Sequence, residues 1–301
     1  MSQRTDEGLT DAGLTANADT HRHFNFINKT LRQLPPKARG HIVAAIGEFV
    51  GTLTFLFFAF AGTQVANISS NTNTGTTIVT TVAQKNPAQL LYISLSFGFS
   101  LAVNAWVFFR ISGGLFNPAV TFGMWLIGSI TLFRGVLLLF VQILGALAAA
   151  GLVSVLFSGG LNVSTELSTT TTIAQGFFIE MILTAQLVFT IFMLAAEKHA
   201  GTFIAPVGIG LALFICELTA MSFALKALHF KYLTPGLRYW VAPLTGAGLA
   251  AALYKLIKSL EYESANPDPE TARPTTARTH QSNGHTAIES TVRSEEAAKV
   301  D

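Results

Sequence analysis

Long apolar stretches alternate with polar connections along the chain. Six of the stretches lie near the ~20 residues a helix needs to cross a bilayer core. They cover residues 42–66, 90–109, 135–157, 174–196, 202–225 and 240–257. Backbone groups cannot be left open in lipid, so each stretch is predicted as an α-helix. A seventh stretch, 115–130, is apolar but too short to span, and Asn117-Pro118 stands near its start. That pattern predicts a segment that dips into the membrane and turns back under the shelter of other helices. The expected fold class is an all-α membrane protein with six transmembrane helices and at least one re-entrant half-helix.

The ends read differently. Residues 1–41 are rich in Thr, Asp, Asn and Arg, with Pro35-Pro36 before the first apolar run. Residues 261–301 turn to Ser, Thr, Glu and Ala, with Pro267, Pro269 and Pro274. Neither composition can bury a core, so two disordered tails are expected around a membrane domain at 42–260. No basic start, short apolar stretch and small-residue cleavage site come together, so no signal peptide is expected.

Composition narrows the function. Half the chain is hydrophobic and 12% is charged, where a soluble domain carries about a quarter charged residues. Residues 42–260 hold nine Lys/Arg and five Asp/Glu, so the deficit lies in the middle. A net charge of +2 argues against a nucleic-acid partner. The single cysteine, Cys216, excludes an internal disulfide and a cysteine-rich zinc site. No cofactor is expected, because the chain lacks a His/Cys metal cluster, a Gly-rich phosphate loop and a Ser-His-Asp set. His199 and His229 read as surface residues, and the carboxylates Glu48, Glu180 and Glu217 lie on separate helices. An enzyme is not expected.

Flanking cations set the orientation. Lys29, Arg32, Lys37 and Arg39 precede the first helix; Arg110 and Arg134 flank the dipping segment; Lys198 sits between helices four and five, and Lys255 and Lys258 close helix six. All fall on one side if both termini are cytoplasmic. The opposite connections carry few cations, with Lys226, Lys231 and Arg238 in the last one as the misfit. Two of them hold the sequons Asn67-Ile68-Ser69 and Asn162-Val163-Ser164, which mark Asn67 and Asn162 as glycosylation candidates.

Helices one and four repeat each other. Glu48, Thr52 and Phe55 in the first match Glu180, Thr184 and Leu187 in the fourth. Spacing by four puts Glu and Thr on one helix face. A repeat offset by three spans must be inverted in the membrane, an arrangement from which transport proteins build a central pathway. Carboxylates there are costly and usually face the bundle interior. Glu48 and Glu180 are therefore expected to be scaffold groups that hold irregular backbone by its N–H groups.

The sharpest motif is Ser112-Gly113-Gly114-Leu115-Phe116-Asn117-Pro118-Ala119-Val120-Thr121. Proline is tolerated in a first helical turn because its missing N–H would be unpaired there anyway. Asparagine before it suits the cap, its oxygen accepting from first-turn amides. The amide N–H2 of Asn117 is then left to donate into a lumen, beside the positive end of a half-helix. Such a pair hydrogen-bonds a passing water and repels cations.

With these residues the chain resembles the aquaporin (major intrinsic protein) family, fungal members in particular. The resemblance rests on Glu48-x-x-x-Thr52, Glu180-x-x-x-Thr184, residues 112–121, Gln142-x-x-Gly145 and Pro243-x-x-Gly246. It implies six tilted helices, two re-entrant half-helices meeting at mid-membrane, and a homotetramer with one pore per subunit. It makes Asn117, Pro118 and Ala119 the pore motif and Phe97 the aromatic of the narrow filter. Glu217 falls where water-selective members place a histidine. The function implied is a passive channel for water, with small neutral solutes, in the plasma membrane.

One half of the family pattern is missing. No asparagine lies between Asn162 and Asn266, so a second Asn-Pro-Ala box and its following arginine are absent. Asn266-Pro267 belongs to the tail. Twenty-five residues, 110–134, separate helices two and three, but only 14, 226–239, separate five and six. Residues 217–233 read instead as helix five running on, with Leu218, Met221, Leu225 and Leu228 at helical spacing. A reduced rate, a non-conducting role beside intact subunits, and a glycerol- or peroxide-permeable pore are the alternatives this loss opens.

Overall fold

A computed structural model describes residues 33–72, 87–163, 172–223 and 234–265. Most of both tails, the continuation of helix five beyond Phe223, and Ser164 lie outside these residues. Among the described residues all regular structure is helical. The elements are α1 (Pro36–Thr72), α2 (Pro87–Phe108), the short α3 (Pro118–Leu126), α4 (Leu132–Leu156), α5 (Ile173–Ile191), α6 (Ala205–Phe223), α7 (Thr234–Ser259) and α8 (Tyr262–Ala265). A π-helical turn, Phe192–Ala196, and a 3-10 turn, Ala200–Ile204, link α5 to α6.

Six of these helices are long and apolar enough to cross a membrane. At 1.5 Å per residue the nine residues of α3 reach about 14 Å, roughly half a 30 Å hydrocarbon core. It is the re-entrant half-helix. Leu144, Val155, Phe133 and Val103 are among many large apolar side chains left exposed on the bundle's outside. Lipid, not water, is the solvent that suits such a surface.

The helices pair with inverted-repeat symmetry. α1 packs on α4 and on α2, as α5 packs on α7 and on α6, while α2 and α6 pack on each other. Glycine positions show the same relation atom by atom. A Cβ on Gly145 would sit 2.7 Å from the Phe49 carbonyl oxygen, with Thr52 Cβ and Leu53 N next. One on Gly246 would collide with the Met181 carbonyl oxygen, with Thr184 Cβ and Ala185 N next. Phe49 and Met181 each follow the repeated glutamate, so both halves dock α4 and α7 on matching sites. At the α2–α6 crossing, Cβ atoms on Gly98 and Gly210 would each fall within 3 Å of the other's carbonyl oxygen. Small residues let backbones approach where no hydrophobic drive acts between helices. Gly145→Leu and Gly246→Leu should each destabilise by about 1–3 kcal/mol, the usual cost of overpacking. Thermal unfolding of the two variants in detergent checks this, and neither melting point should match that of the unmodified protein.

Where α5 ends, the backbone changes to the π turn and Phe192 is fully buried against Tyr254. Glu197 follows. It accepts hydrogen bonds from the Tyr254 hydroxyl and, at 2.9 Å, from Lys258 Nζ, which also reaches Glu263 at 2.6 Å. Partial burial pushes the Glu197 carboxyl up, but the bonds from Tyr254 and Lys258 outweigh it and the net shift is downward. A lowered carboxylate contributes stability above its unfolded pKa and loses it as pH falls through the folded one. Glu197→Gln should therefore lower the melting temperature at pH 7. The gap to wild type should close below the ordinary glutamate range, as scanning fluorimetry across pH would show.

Candidate functional site

Glycines open the turn that delivers α3. Gly113 and Gly114 have φ of 109° and 65°, and Phe116, without that freedom, is held at 50°. A large side chain at positive φ persists only where its surroundings over-determine it. Phe116 is 3% exposed, stacked on Phe55 at 6.4 Å and edge-on to Phe108 at 5.9 Å. Its ring fills the space where a Gly51 side chain would be.

The polar half of that support is one carboxylate. Glu48 is 0% exposed. Its Oε1 accepts from Ser112 Oγ at 2.7 Å and Leu115 N at 3.0 Å. Its Oε2 accepts from Phe116 N and Gln142 Nε2, each at 2.8 Å. Gln142 in turn exchanges hydrogen bonds with Thr121 on α3. One charge from α1 thus fixes the turn before α3, and through Gln142 of α4 it also reaches the half-helix. Thr52, one turn on from Glu48, is buried with its hydroxyl unpartnered among the described residues.

Asn117 caps α3 in extended conformation, φ −143° and ψ 125°, with Pro118 in the first turn. Its Oδ1 accepts from Ala119 N at 2.8 Å. Its Nδ2 has no partner among the described residues, yet it is not among the sealed, unpaired polar atoms. The residue is half-buried while Ala119, Val120 and Thr121 behind it are buried. A donor with no hydrogen-bond partner among the described residues therefore stands at the N-terminal end of α3. The positive end of the α3 dipole points the same way.

A profile of the family described as "Major intrinsic protein" matches residues 37–254. The chain belongs to that family. This major intrinsic protein is similar to the "Aquaporin-7" of Botryotinia fuckeliana (strain B05.10), 55% identical over 266 residues that cover 85% of this chain and 56% of the relative. It is also similar to that organism's "Aquaporin-5", 57% identical over 240 residues, 76% of this chain and 44% of the relative. "Probable aquaporin-3" of Gibberella zeae is 46% identical over 243 residues, 75% of this chain and 82% of that one. The chain spans about half the length of the first two relatives. Among solved structures it is similar to the aquaglyceroporin from Plasmodium falciparum, with a TM-score of 0.55. Identity there is 20%, over 71% of this chain and 95% of that one, which speaks for the fold alone.

In this member of the family the two repeated glutamates have unlike surroundings. Glu180 is exposed and has no hydrogen bond among the described residues, whereas Glu48 holds four. Glu217, half-buried on α6, is close enough for its carboxylate to interact with that of Glu180. Phe97 is half-buried on α2, edge-on to Phe55 at 6.3 Å and to Phe60 at 6.4 Å. It continues an aromatic line from Phe108 through Phe116 and Phe55. Asn67 and Asn162 meet each other at the end of the bundle opposite Glu197. Gln142 was legible only through the family resemblance, as the first residue of Gln142-x-x-Gly145. Its bond to Glu48 was not, because the two are 94 positions apart.

Proposed function

We propose that the protein is a passive membrane channel for water, with small neutral solutes as secondary cargo. It would work as a homotetramer in the plasma membrane with both termini cytoplasmic. The observation that carries this reading is Asn117. Its oxygen is committed to the α3 cap and its Nδ2 is left to donate at the broken helix. Permeation needs a narrow wet path with a few oriented donors and no catalytic group. The aquaporin names of the relatives support the same reading. So does the distribution of cations around the spans, which favours cytoplasmic termini. Pore roles for Pro118, Ala119, Phe97 and Glu217 belong to this proposal.

The test is swelling of proteoliposomes carrying the full chain, followed by stopped-flow light scattering. Osmotic water permeability should exceed that of empty vesicles, and uptake of labelled glycerol should be slower than water flux. Permeability equal to empty vesicles would favour a second reading, a non-conducting subunit acting beside intact ones. The missing second Asn-Pro-Ala box, and a Glu180 with no hydrogen bond among the described residues, speak for that reading.

A further inference from the structure

The two sequons stand in unlike surroundings. Gln64, 2% exposed near the C-terminal end of α1, grips the connection after α4 from both ends of its amide. Its Nε2 donates to Gly160 O at 3.0 Å, and its Oε1 accepts from Asn162 N at 2.7 Å. Three residues on, Asn67 Nδ2 donates to Asn162 O at 2.6 Å, and Asn67 Oδ1 accepts from Gln89 Nε2 of α2 at 2.7 Å. Asn67 therefore has both ends of its side chain in a clasp that joins α1, α2 and the connection after α4. Asn162 enters the same clasp through its backbone only, and its side chain is exposed.

We propose that Asn162 is the site of N-glycosylation and that Asn67 stays unmodified as a structural hydrogen-bonding residue. In the transfer, the asparagine Nδ2 bonds to the sugar anomeric carbon and gives up a proton. The bond from that carbon to the diphosphate of a lipid-linked oligosaccharide donor breaks, and the lipid diphosphate leaves. The attacking nitrogen must be free, and the hydroxyl two residues later must come to the same amide. Residues i and i+2 of an α-helix do not face each other, and Asn67 lies inside the unbroken helix Pro36–Thr72. Asn162 lies in the non-helical segment 157–163, six residues past the end of α4, with its side chain exposed.

The inference rests on the orientation proposed above, because transfer occurs only on the lumenal side. The full chain with an epitope tag after Asp301 is expressed in a yeast host, and its gel mobility is compared with and without endoglycosidase. Ser164→Ala removes one sequon and Ser69→Ala the other, leaving both asparagines in place. The endoglycosidase-sensitive shift should be present in wild type and Ser69→Ala and absent from Ser164→Ala. A shift that survives Ser164→Ala, or is lost in Ser69→Ala, overturns the assignment. Absence of any shift while the tag needs permeabilised cells for antibody access overturns it too. A tag stained in intact cells overturns the orientation itself, and the assignment with it. Asn67→Ala, which breaks the clasp, should lower the melting temperature of protein enzymatically freed of glycan.

Discussion

Glu48→Ala should cost about 3–5 kcal/mol, the scale for breaking a buried charged network by removing one partner. Four donors would lose their acceptor together: Ser112 Oγ, Leu115 N, Phe116 N and Gln142 Nε2. Two of them are backbone amides of a turn that carries Phe116 at positive φ, so the turn and α3 should come loose before the spanning helices do. At about 2–4 °C per kcal/mol for a chain of this size, the melting temperature should drop by roughly 6–20 °C. Glu48→Gln should fall between, since its oxygen can still accept while its N–H2 meets donors. Glu180→Ala is the contrasting case. With no hydrogen-bond partner among the described residues, it should cost much less stability than Glu48→Ala. Melting curves of the three variants in one detergent decide the matter. Equal losses for Glu48→Ala and Glu180→Ala would mean that the second half holds backbone as the first does.

Hydropathy reported the six spans well because lipid imposes length and apolarity directly on sequence. It did not mark where helices stop. α1 starts at Pro36, ahead of the apolar run at 42, and continues past it to Thr72, because a helix can run on into water where its side chains are polar. The half-helix was legible from Asn117-Pro118, whose chemistry acts over one turn. Contacts between distant positions were not legible. The Gln64 clasp on Gly160 spans 96 positions, and the Tyr254–Glu197–Lys258 group joins residues about 60 apart. The π turn at Phe192–Ala196 leaves no composition signal, since its residues would suit an α-helix equally well. The repeat in sequence did announce matching helix contacts, and Gly145 and Gly246 make them. The repeat alone did not tell Glu48 from Glu180; the missing second Asn-Pro-Ala box did, since it leaves Glu180 without the turn whose amides it would hold.

Asn117→Asp separates the cap from the pore. Aspartate is as good at the cap as asparagine and gains from the helix dipole, so Ala119 N keeps its acceptor. The stability loss should stay below about 2.5–3.5 kcal/mol, the cost of a carboxylate at the middle of a span. The other end of the side chain changes sign. An N–H2 that donates to a water oxygen becomes a carboxylate oxygen that accepts and carries charge. Losing one donor of about 1 kcal/mol corresponds to roughly fivefold in a rate, at 1.4 kcal/mol per tenfold. Water permeability per reconstituted protein should fall by about that factor. A negative group beside the α3 terminus also removes a barrier to cations, so a potassium or proton leak should appear in vesicles that show none with the wild-type chain. Asn117→Leu removes cap and donor together and should cost about 1 kcal/mol of stability as well as the water flux. If Asn117→Asp melts like wild type and passes water at the same rate with no leak, the amide does not face the permeation path. The reading of α3 as a pore helix would then fail while the fold stood.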